Sequence, residues 1–422
     1  MLTLRVLVLA LAYVLNFYVH PAAARSSLLS HVHKVAVKRS SSLARDLRVA
    51  FGGVLVAQPG SGPTQNVYCV SSGGGGVTPP SGSGNSSSSA SGTATASAAE
   101  PSSTTSVPSS PWKTISTYSG SSFFNGWSFY TSPDPTNGNV QYVDQPTAQS
   151  AGLIEINNSG NAVMRVETTP QVQTNRKSVR ITTEQIFTEG LVIMDAVHMP
   201  TGCGTWPAFW TNGPNWPAGG EIDIVEGVNN YTNNQATIHT NPGCSLTTSN
   251  SSLLAVTGTV VGGTDCAAAD SNNEGCGMRS SSDTSFGSGF NSIGGGVYAM
   301  LWDNSVGIKV YFFPRGSIPS DITAGAPQPQ TWPTPMANWP NSNDCDTSKF
   351  FYSHSAIFDT TLCGDWAEGV WNGTGVPGQD VSCYAQTGYT TCAEFIQANG
   401  AAFNEAYWEV SSVKIYQDSS SS

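Results

Sequence analysis

The stretch Gly219-Gly220-Glu221-Ile222-Asp223-Ile224-Val225-Glu226-Gly227 places three carboxyl side chains within six positions. Side chains alternate between the two faces of a strand, so Glu221 and Asp223 share one face while Ile222 and Ile224 share the other. Unbroken alternation would turn Glu226 toward the core, where an unpaired carboxylate is costly or takes up a proton. One extra residue around Ile224 and Val225 returns Glu226 to the face of the other two acids, and such bulges are frequent beside active sites. The stretch therefore predicts a bulged strand that is apolar on one side and lines a cleft with three acids on the other.

Two carboxyl groups flanking a bond are the equipment of glycoside hydrolysis, one attacking or activating water and the other protonating the departing oxygen. Asp223, between them, is placed to hydrogen-bond the nucleophile, and the crowded negative charge helps keep one glutamic acid protonated near neutral pH. A solvated strand edge or a calcium site are the plainer readings of three acids. The flanking sequence favours the cleft.

Upstream, Gly202 to Pro217 carries Trp206, Trp210 and Trp216. Sugar rings present apolar C–H faces that stack on indoles, so Trp210 and Trp216 are expected in a carbohydrate cleft, with Trp206 assigned to core packing. Downstream, Thr237 and His239 share the parity opposite to Ile238, which lets His239 reach the acids from a neighbouring strand. Arg180, opposite in parity to Val179 and Ile181, is placed either to neutralise or orient a cleft carboxylate or to face solvent. Cys363-Gly364-Asp365-Trp366 sets Trp366 beside a cysteine, a rigid mount suited to a sugar platform.

Several segments precede the folded part. Residues 1–24 open with Arg5, continue through an apolar run and close on Pro21-Ala22-Ala23-Ala24, the layout of a cleaved secretory signal. Residues 25–70, with several basic side chains, are expected to be a leader or propeptide, with Lys38-Arg39 either a dibasic processing site or ordinary solvated charge. Residues 71–110 are almost entirely Ser, Gly, Thr, Ala and Pro, too poor in apolar surface to fold, and predict a flexible linker. From 111 to 418, aromatic and β-branched runs are broken by Gly, Pro, Asn and Asp, which indicates one all-β domain ahead of a short tail at 419–422.

Within that domain the predicted strands are Ala162–Thr168, Ser178–Thr183, Leu191–Met199, Gly220–Glu226, Ala236–Thr240, Val297–Trp302, Gly307–Phe313 and Tyr407–Tyr416, and only Thr391–Ala401 has the pattern of a helix. Leu191–Met199 is apolar on both parities and is expected to be central, buried on both sides.

Nine cysteines in a chain with a secretory leader predict disulfides. Eight of them, from Cys203 to Cys392, allow four bridges, one of which would close the loop between Cys266 and Cys276, while Cys69 stands apart. No cysteine pair has zinc-finger spacing, so no metal site is expected, and nothing in the chain calls for a cofactor. A formal charge of −11 argues against nucleic acid or an anionic membrane as partner and for a neutral substrate. Asn157, Asn230, Asn250 and Asn372 head glycosylation sequons in the domain, with Asn85 in the linker. A monomeric, extracellular protein, free or associated with the cell wall, is expected.

Taken together, the chain resembles glycoside hydrolase family 16, specifically its fungal secreted endo-β-1,3(4)-glucanases of the laminarinase type. The resemblance covers nearly all of Pro111 to Gln417. It rests on G-C-G-T-W-P-A-F-W at Gly202–Trp210, G-G-E-I-D-I-V-E-G at Gly219–Gly227, T-I-H-T at Thr237–Thr240 and C-G-D-W at Cys363–Trp366. It implies a β-jelly-roll of two curved antiparallel sheets with a concave substrate cleft, and retaining hydrolysis with Glu221 as nucleophile, Glu226 as general acid/base and Asp223 assisting. A β-glucan polysaccharide would be the substrate, with β-1,3 linkages favoured. The competing expectations are a cell-wall transglycosylase using the same acids, a non-catalytic β-glucan-binding protein on the same fold, and a secreted structural or interaction protein. Retention of both Glu221 and Glu226 disfavours the last two.

Overall fold

The computed structural model describes residues 109–419. The expectations for the signal segment, the leader with Cys69, the linker up to residue 108 and the last three residues lie outside them.

Two large antiparallel sheets dominate the fold. The front sheet runs in the order β12 (Thr259–Val261), β13 (Cys276–Arg279), β11 (Gln235–His239), β10 (Glu221–Glu226), β9 (Thr205–Asn212), β17 (Ser355–Leu362), β7 (Arg180–Thr183), β2 (Trp127–Phe129). The back sheet runs β16 (Ala337–Pro340), β15 (Gly307–Pro314), β14 (Gly296–Asp303), β8 (Gly190–His198), β18 (Tyr407–Asp418), β5 (Ala162–Arg165), β4 (Ile154–Ile156), and β1 (Trp112–Ser119) also pairs with β18. A third, two-stranded ladder is parallel and joins β3 (Val140–Tyr142) to β6 (Arg176–Ser178).

The main core lies between the two large sheets. Phe209, Ile222, Ile238 and Phe358 of the front sheet share one apolar cluster with Val192, Met194, Trp302, Trp408 and Val413 of the back sheet. Phe358 meets Trp408 edge-on at 5.3 Å, an arrangement favoured by the ring quadrupoles. β8 is buried on both sides, as its double-parity pattern predicts, but by different partners. Val192 and Met194 face the front sheet, while Leu191 and Ile193 lie in a second cluster with Tyr311, Phe313, Ile322 and Trp332. Its outer side is thus covered by the connection after β15.

The predicted strands are present with ends shifted by a few residues, except that Ser178–Thr183 is divided. β6 ends at Ser178 and β7 starts at Arg180, because the chain leaves the parallel ladder at Val179 and joins the front sheet. The predicted helix is Cys392–Ala398, closed at its start by a capping box between Thr391 and Glu394. Other short helices were not expected; Gln145–Ser150 is one, started by the Asp144 cap and Pro146. Four disulfides join Cys203–Cys383, Cys244–Cys345, Cys266–Cys276 and Cys363–Cys392.

The approach to the acidic strand is tightly held. Gly220 has a φ of +78°, and a Cβ there would come within 2.3 Å of the Phe351 ring, so the position requires glycine. The carbonyl of Gly219 accepts from the backbone N–H of Tyr352 at 3.2 Å and from His354 Nε2 at 2.9 Å. Because Nε2 of His354 donates, its Nδ1 accepts from the Thr211 hydroxyl at 2.8 Å, and the ring is neutral. The imidazole is fully buried against Phe187, Trp302 and Phe351. Burial pushes its pKa down to about 4, against the opposing effect of the Gly219 hydrogen bond.

This buried imidazole makes stability depend on pH. In the unfolded chain a histidine titrates near 6.5, so between about pH 6.5 and 4 the unfolded state takes up a proton that the native state refuses. Stability therefore falls as pH drops through that window, by about 3 kcal/mol at roughly 1.4 kcal/mol per pKa unit. Denaturant unfolding at both pH values should show the parent losing about 2–3 kcal/mol relative to His354→Gln. Identical pH dependence in the two proteins would contradict this role of the imidazole.

Candidate active site

The bulge expected at Ile224 and Val225 is present. On β9, Asn212, Thr211 and Trp210 pair with Glu221, Ile222 and Asp223, and after a register shift Phe209 and Ala208 pair with Val225 and Glu226. Ile224 and Val225 are both fully buried in the main core, so two successive residues point inward and Glu226 emerges on the side of Glu221 and Asp223. All three acids line one open cleft of about 320 Å³ on the outer face of the front sheet.

Neighbouring strands complete the lining. Trp206 and Trp210 of β9, His239 of β11, Arg180 of β7 and Trp366 all border the cleft, as does Trp216 from the turn before β10. His239 is the direct cross-strand partner of Glu221, and its Nε2 lies 3.4 Å from Asp223 Oδ2. The structure thus brings together every residue singled out from the sequence for this site.

The environments of Trp206, Trp210 and Trp366 depart from expectation. Trp206, assigned to the core, does pack against it but is only partly buried and also borders the cleft, where its indole N–H donates to Glu226 Oε1 at 2.8 Å. Its parity explains this, because residues four apart on a strand share a face and Trp206 must follow Trp210 into the cleft. Trp216, 45% exposed, offers an open indole and also donates to Glu221 Oε2. Trp210 and Trp366, expected as open sugar platforms, border the cleft but are instead nearly buried, only 8% and 9% exposed. One face of Trp210 is covered by the Arg180 guanidinium, 4.8 Å from its ring centre, and Trp366 stands edge-on to Trp206 at 5.7 Å.

Three carboxyls bordering the cleft were not anticipated: Glu274, which lies just before β13, Asp359 and Asp134. Asp359 of β17 is the cross-strand partner of Arg180 and accepts from Trp210 Nε1 at 3.1 Å. Asp134 comes from a loop and accepts from Thr136 Oγ1 at 2.6 Å and from the Gly138 N–H at 2.9 Å. Neither carried a local signal. Asp359 sits in a strand that was not among those predicted, and only the sheet order places that strand two away from the acids.

Burial and mutual repulsion keep Glu221, Asp223, Glu226 and Asp359 from ionising normally. Glu221 is pushed up to about 7 by burial and the Asp223 charge, against the effects of His239, the Trp216 hydrogen bond and Arg180. Asp223 is raised to about 8 by burial, opposed by its hydrogen bond with Glu221. Glu226 is pushed well above the usual carboxylate range by burial and then by Asp223, with Trp206 and His239 acting in the opposite sense. Burial raises Asp359 to about 7, and Arg180 counteracts it. Near neutral pH such a cluster holds both protonated and ionised carboxyls, the combination that acid and nucleophile chemistry requires.

Six carboxyls border the cleft against one guanidinium and one imidazole, which disfavours an anionic ligand. Among the described residues the only cluster with metal-ligand spacing is Cys363, Glu368 and Cys392, and the two cysteines are joined to each other. No helix of the described residues is long and apolar enough to cross a membrane.

Residues 127–416 match the family model described as the XgeA-like catalytic domain of glycoside hydrolase family 16. A probable glycosidase of Schizosaccharomyces pombe is 43% identical over 306 residues, 72% of this chain and 68% of that protein. A probable endo-1,3(4)-beta-glucanase of Aspergillus niger is 43% identical over 312 residues, 73% of this chain but only 40% of the relative's length. Among solved structures, Laminarinase 16A of Phanerochaete chrysosporium, holding beta-glucans in donor and acceptor sites, superposes with a TM-score of 0.65 at 36% identity. The match covers 72% of this chain and 99% of that one. A family 16 elongating beta-1,3-glucosyltransferase superposes with a TM-score of 0.64 at 38% identity, over 72% and 100% of the two chains.

The raised carboxyl pKa values also have a consequence for stability. A glutamate that ionises near 4.5 when unfolded and near 7 when folded loses stabilisation as pH rises between those values. Glu221→Gln should therefore melt higher than the parent, by about 2–4 °C at pH 8 and by less at pH 5. A variant melting below the parent at pH 8 would contradict the crowding.

Proposed function

The chain belongs to glycoside hydrolase family 16, and on that premise we propose that it is a secreted, retaining endo-β-glucanase acting on β-1,3-linked glucans, with tolerance of mixed β-1,3/1,4 chains. The observation that carries this reading is the bulged strand presenting Glu221, Asp223 and Glu226 to one open cleft. The identity of the Aspergillus relative and of the laminarinase supports the choice of β-1,3-glucan. The low cationic content of the cleft suits a neutral polysaccharide, and its openness suits attack within a long chain. Disulfides persist in oxidising compartments, which supports secretion.

In the proposed double displacement, Glu221 attacks the anomeric carbon while Glu226 protonates the departing glycosidic oxygen. A covalent glycosyl-enzyme and a shortened glucan with a free hydroxyl result. Glu226, now ionised, takes a proton from water as that water attacks the same carbon, and Glu221 is released as a carboxylate. The Trp206 N–H orients the Glu226 carboxyl, and the Trp216 N–H holds Glu221. Asp223, between Glu221 and His239, limits how far the nucleophile can turn and shares its proton balance. Arg180 contributes positive charge that favours the ionised nucleophile.

The elongating glucosyltransferase among the structural neighbours supports a second reading, in which another glucan replaces water as acceptor. Laminarin and short laminari-oligosaccharides distinguish the two. Hydrolysis predicts release of reducing ends, with the β-anomer appearing first by proton NMR, and a loss of at least about 1,000-fold in Glu221→Gln. Products longer than the starting oligosaccharide would favour transfer. An α-anomer as first product, or undiminished activity in Glu221→Gln, would overturn the mechanism.

A further inference from the structure

At the bulge, the ladder that holds the acidic strand ends on one side. β11 pairs with β10 only at Glu221, Ile222 and Asp223, whereas β9 follows β10 to Val225 and Glu226. The carbonyl of Ile224 and the N–H of Glu226 therefore lie beyond the last pair with β11. A buried main-chain group left without a partner is costly.

The side chain of Asn234, the residue immediately before β11, supplies both partners. Its Oδ1 accepts from the Glu226 N–H at 2.9 Å, and its Nδ2 donates to the Ile224 carbonyl at 2.9 Å. One carboxamide thus stands in for a stretch of strand and bridges the inserted residue. Asn234 is fully buried, and its own main chain is fixed at both ends. Its N–H donates to Ser285 Oγ at 2.9 Å, and its carbonyl accepts from the Ser280 N–H at 2.8 Å. It does not border the cleft.

We propose that Asn234 is a positioning residue for the acid/base carboxyl, holding the bulge so that Glu226 faces the glycosidic oxygen; this rests on the assignment of Glu226 as acid made above. The chemistry of the side chain fits the task. A carboxamide offers one donor and one acceptor side by side at any pH, and asparagine has the shorter of the two stems. A carboxylate in its place would meet the Ile224 carbonyl with a lone pair, whereas a protonated carboxyl would restore both bonds. A displacement of about 1 Å at a reacting group costs on the order of 100-fold in rate.

The leaving group separates positioning of the acid from general damage, because dinitrophenolate departs without a proton. For the full-length protein, kcat/KM would be measured on laminarin and on 2,4-dinitrophenyl β-laminaribioside. Asn234→Ala is expected to lose about 10–100-fold on laminarin and less than about 3-fold on the activated glycoside. Asn234→Asp is expected to show the same contrast at pH 8 and to recover toward the parent at pH 5, where its buried carboxyl holds a proton. That pH recovery keeps the test decisive if Asn234→Ala does not fold. Equal losses on both substrates, unchanged laminarin activity, or no recovery at low pH would overturn the proposal. Glu226→Ala, measured beside them, separates the two failures. A leaving-group contrast in Glu226→Ala that is missing from the Asn234 variants overturns the role of Asn234 alone. Its absence from Glu226→Ala removes the assignment of Glu226 and the proposal with it.

Discussion

Everything in this molecule that bears on chemistry depends on one irregularity, the extra residue between Asp223 and Val225. A regular strand of six residues cannot present the first, third and sixth to the same side, because parity sends the sixth inward. The bulge resolves the conflict by burying Ile224 and Val225 together. The cost is a broken ladder, and the Asn234 carboxamide offsets it by bonding the two main-chain groups at the break. Around this point the sheets provide a rigid support. The face opposite the acids packs on the back sheet through Ile222, Ile238, Phe209 and Phe358, so the carboxyls project from strands that have little freedom to move.

The second constraint is electrostatic. Several carboxyls in one cleft repel one another, and burial removes the water that would screen them. The structure accommodates them with a small set of counter-groups, each assigned to a particular acid. Trp206 bonds Glu226, Trp216 bonds Glu221, His239 faces Asp223, and Arg180 lies opposite Asp359. These groups lower the repulsion without removing it, and the carboxyls remain above their ordinary range. Such a site is less stable than a neutral one of the same shape, a common relation between activity and stability.

Much of this was legible in the sequence because parity is a local property. The clash between three acids and a two-residue repeat pointed to a bulge, and its position followed from where the isoleucines stood. His239 was readable because Ile238 fixes which way its neighbours face, and the cross-strand pair with Glu221 agrees. Trp206 was readable by the same rule, and its assignment to the core missed that it shares a face with Trp210. Asp359 and Asn234 were not legible, for different reasons. Asp359 reaches the cleft through the order β10-β9-β17-β7, which brings together segments more than a hundred residues apart. Asn234 looks like an ordinary loop residue, and its role arises only where a ladder stops short. The outer cover of β8 was hidden similarly, since double-sided burial does not reveal whether a sheet or a connection lies above.

The central claim is that Glu221 forms a covalent bond to the anomeric carbon. A 2-deoxy-2-fluoro laminari-oligosaccharide bearing a good leaving group slows breakdown of that bond, allowing the adduct to be located by peptide mass spectrometry. One glycosyl group per chain is expected, carried by Glu221 and released on addition of an acceptor glucan. A label on Glu226 or Asp223, or turnover of the reagent with no adduct at any carboxyl, would contradict it.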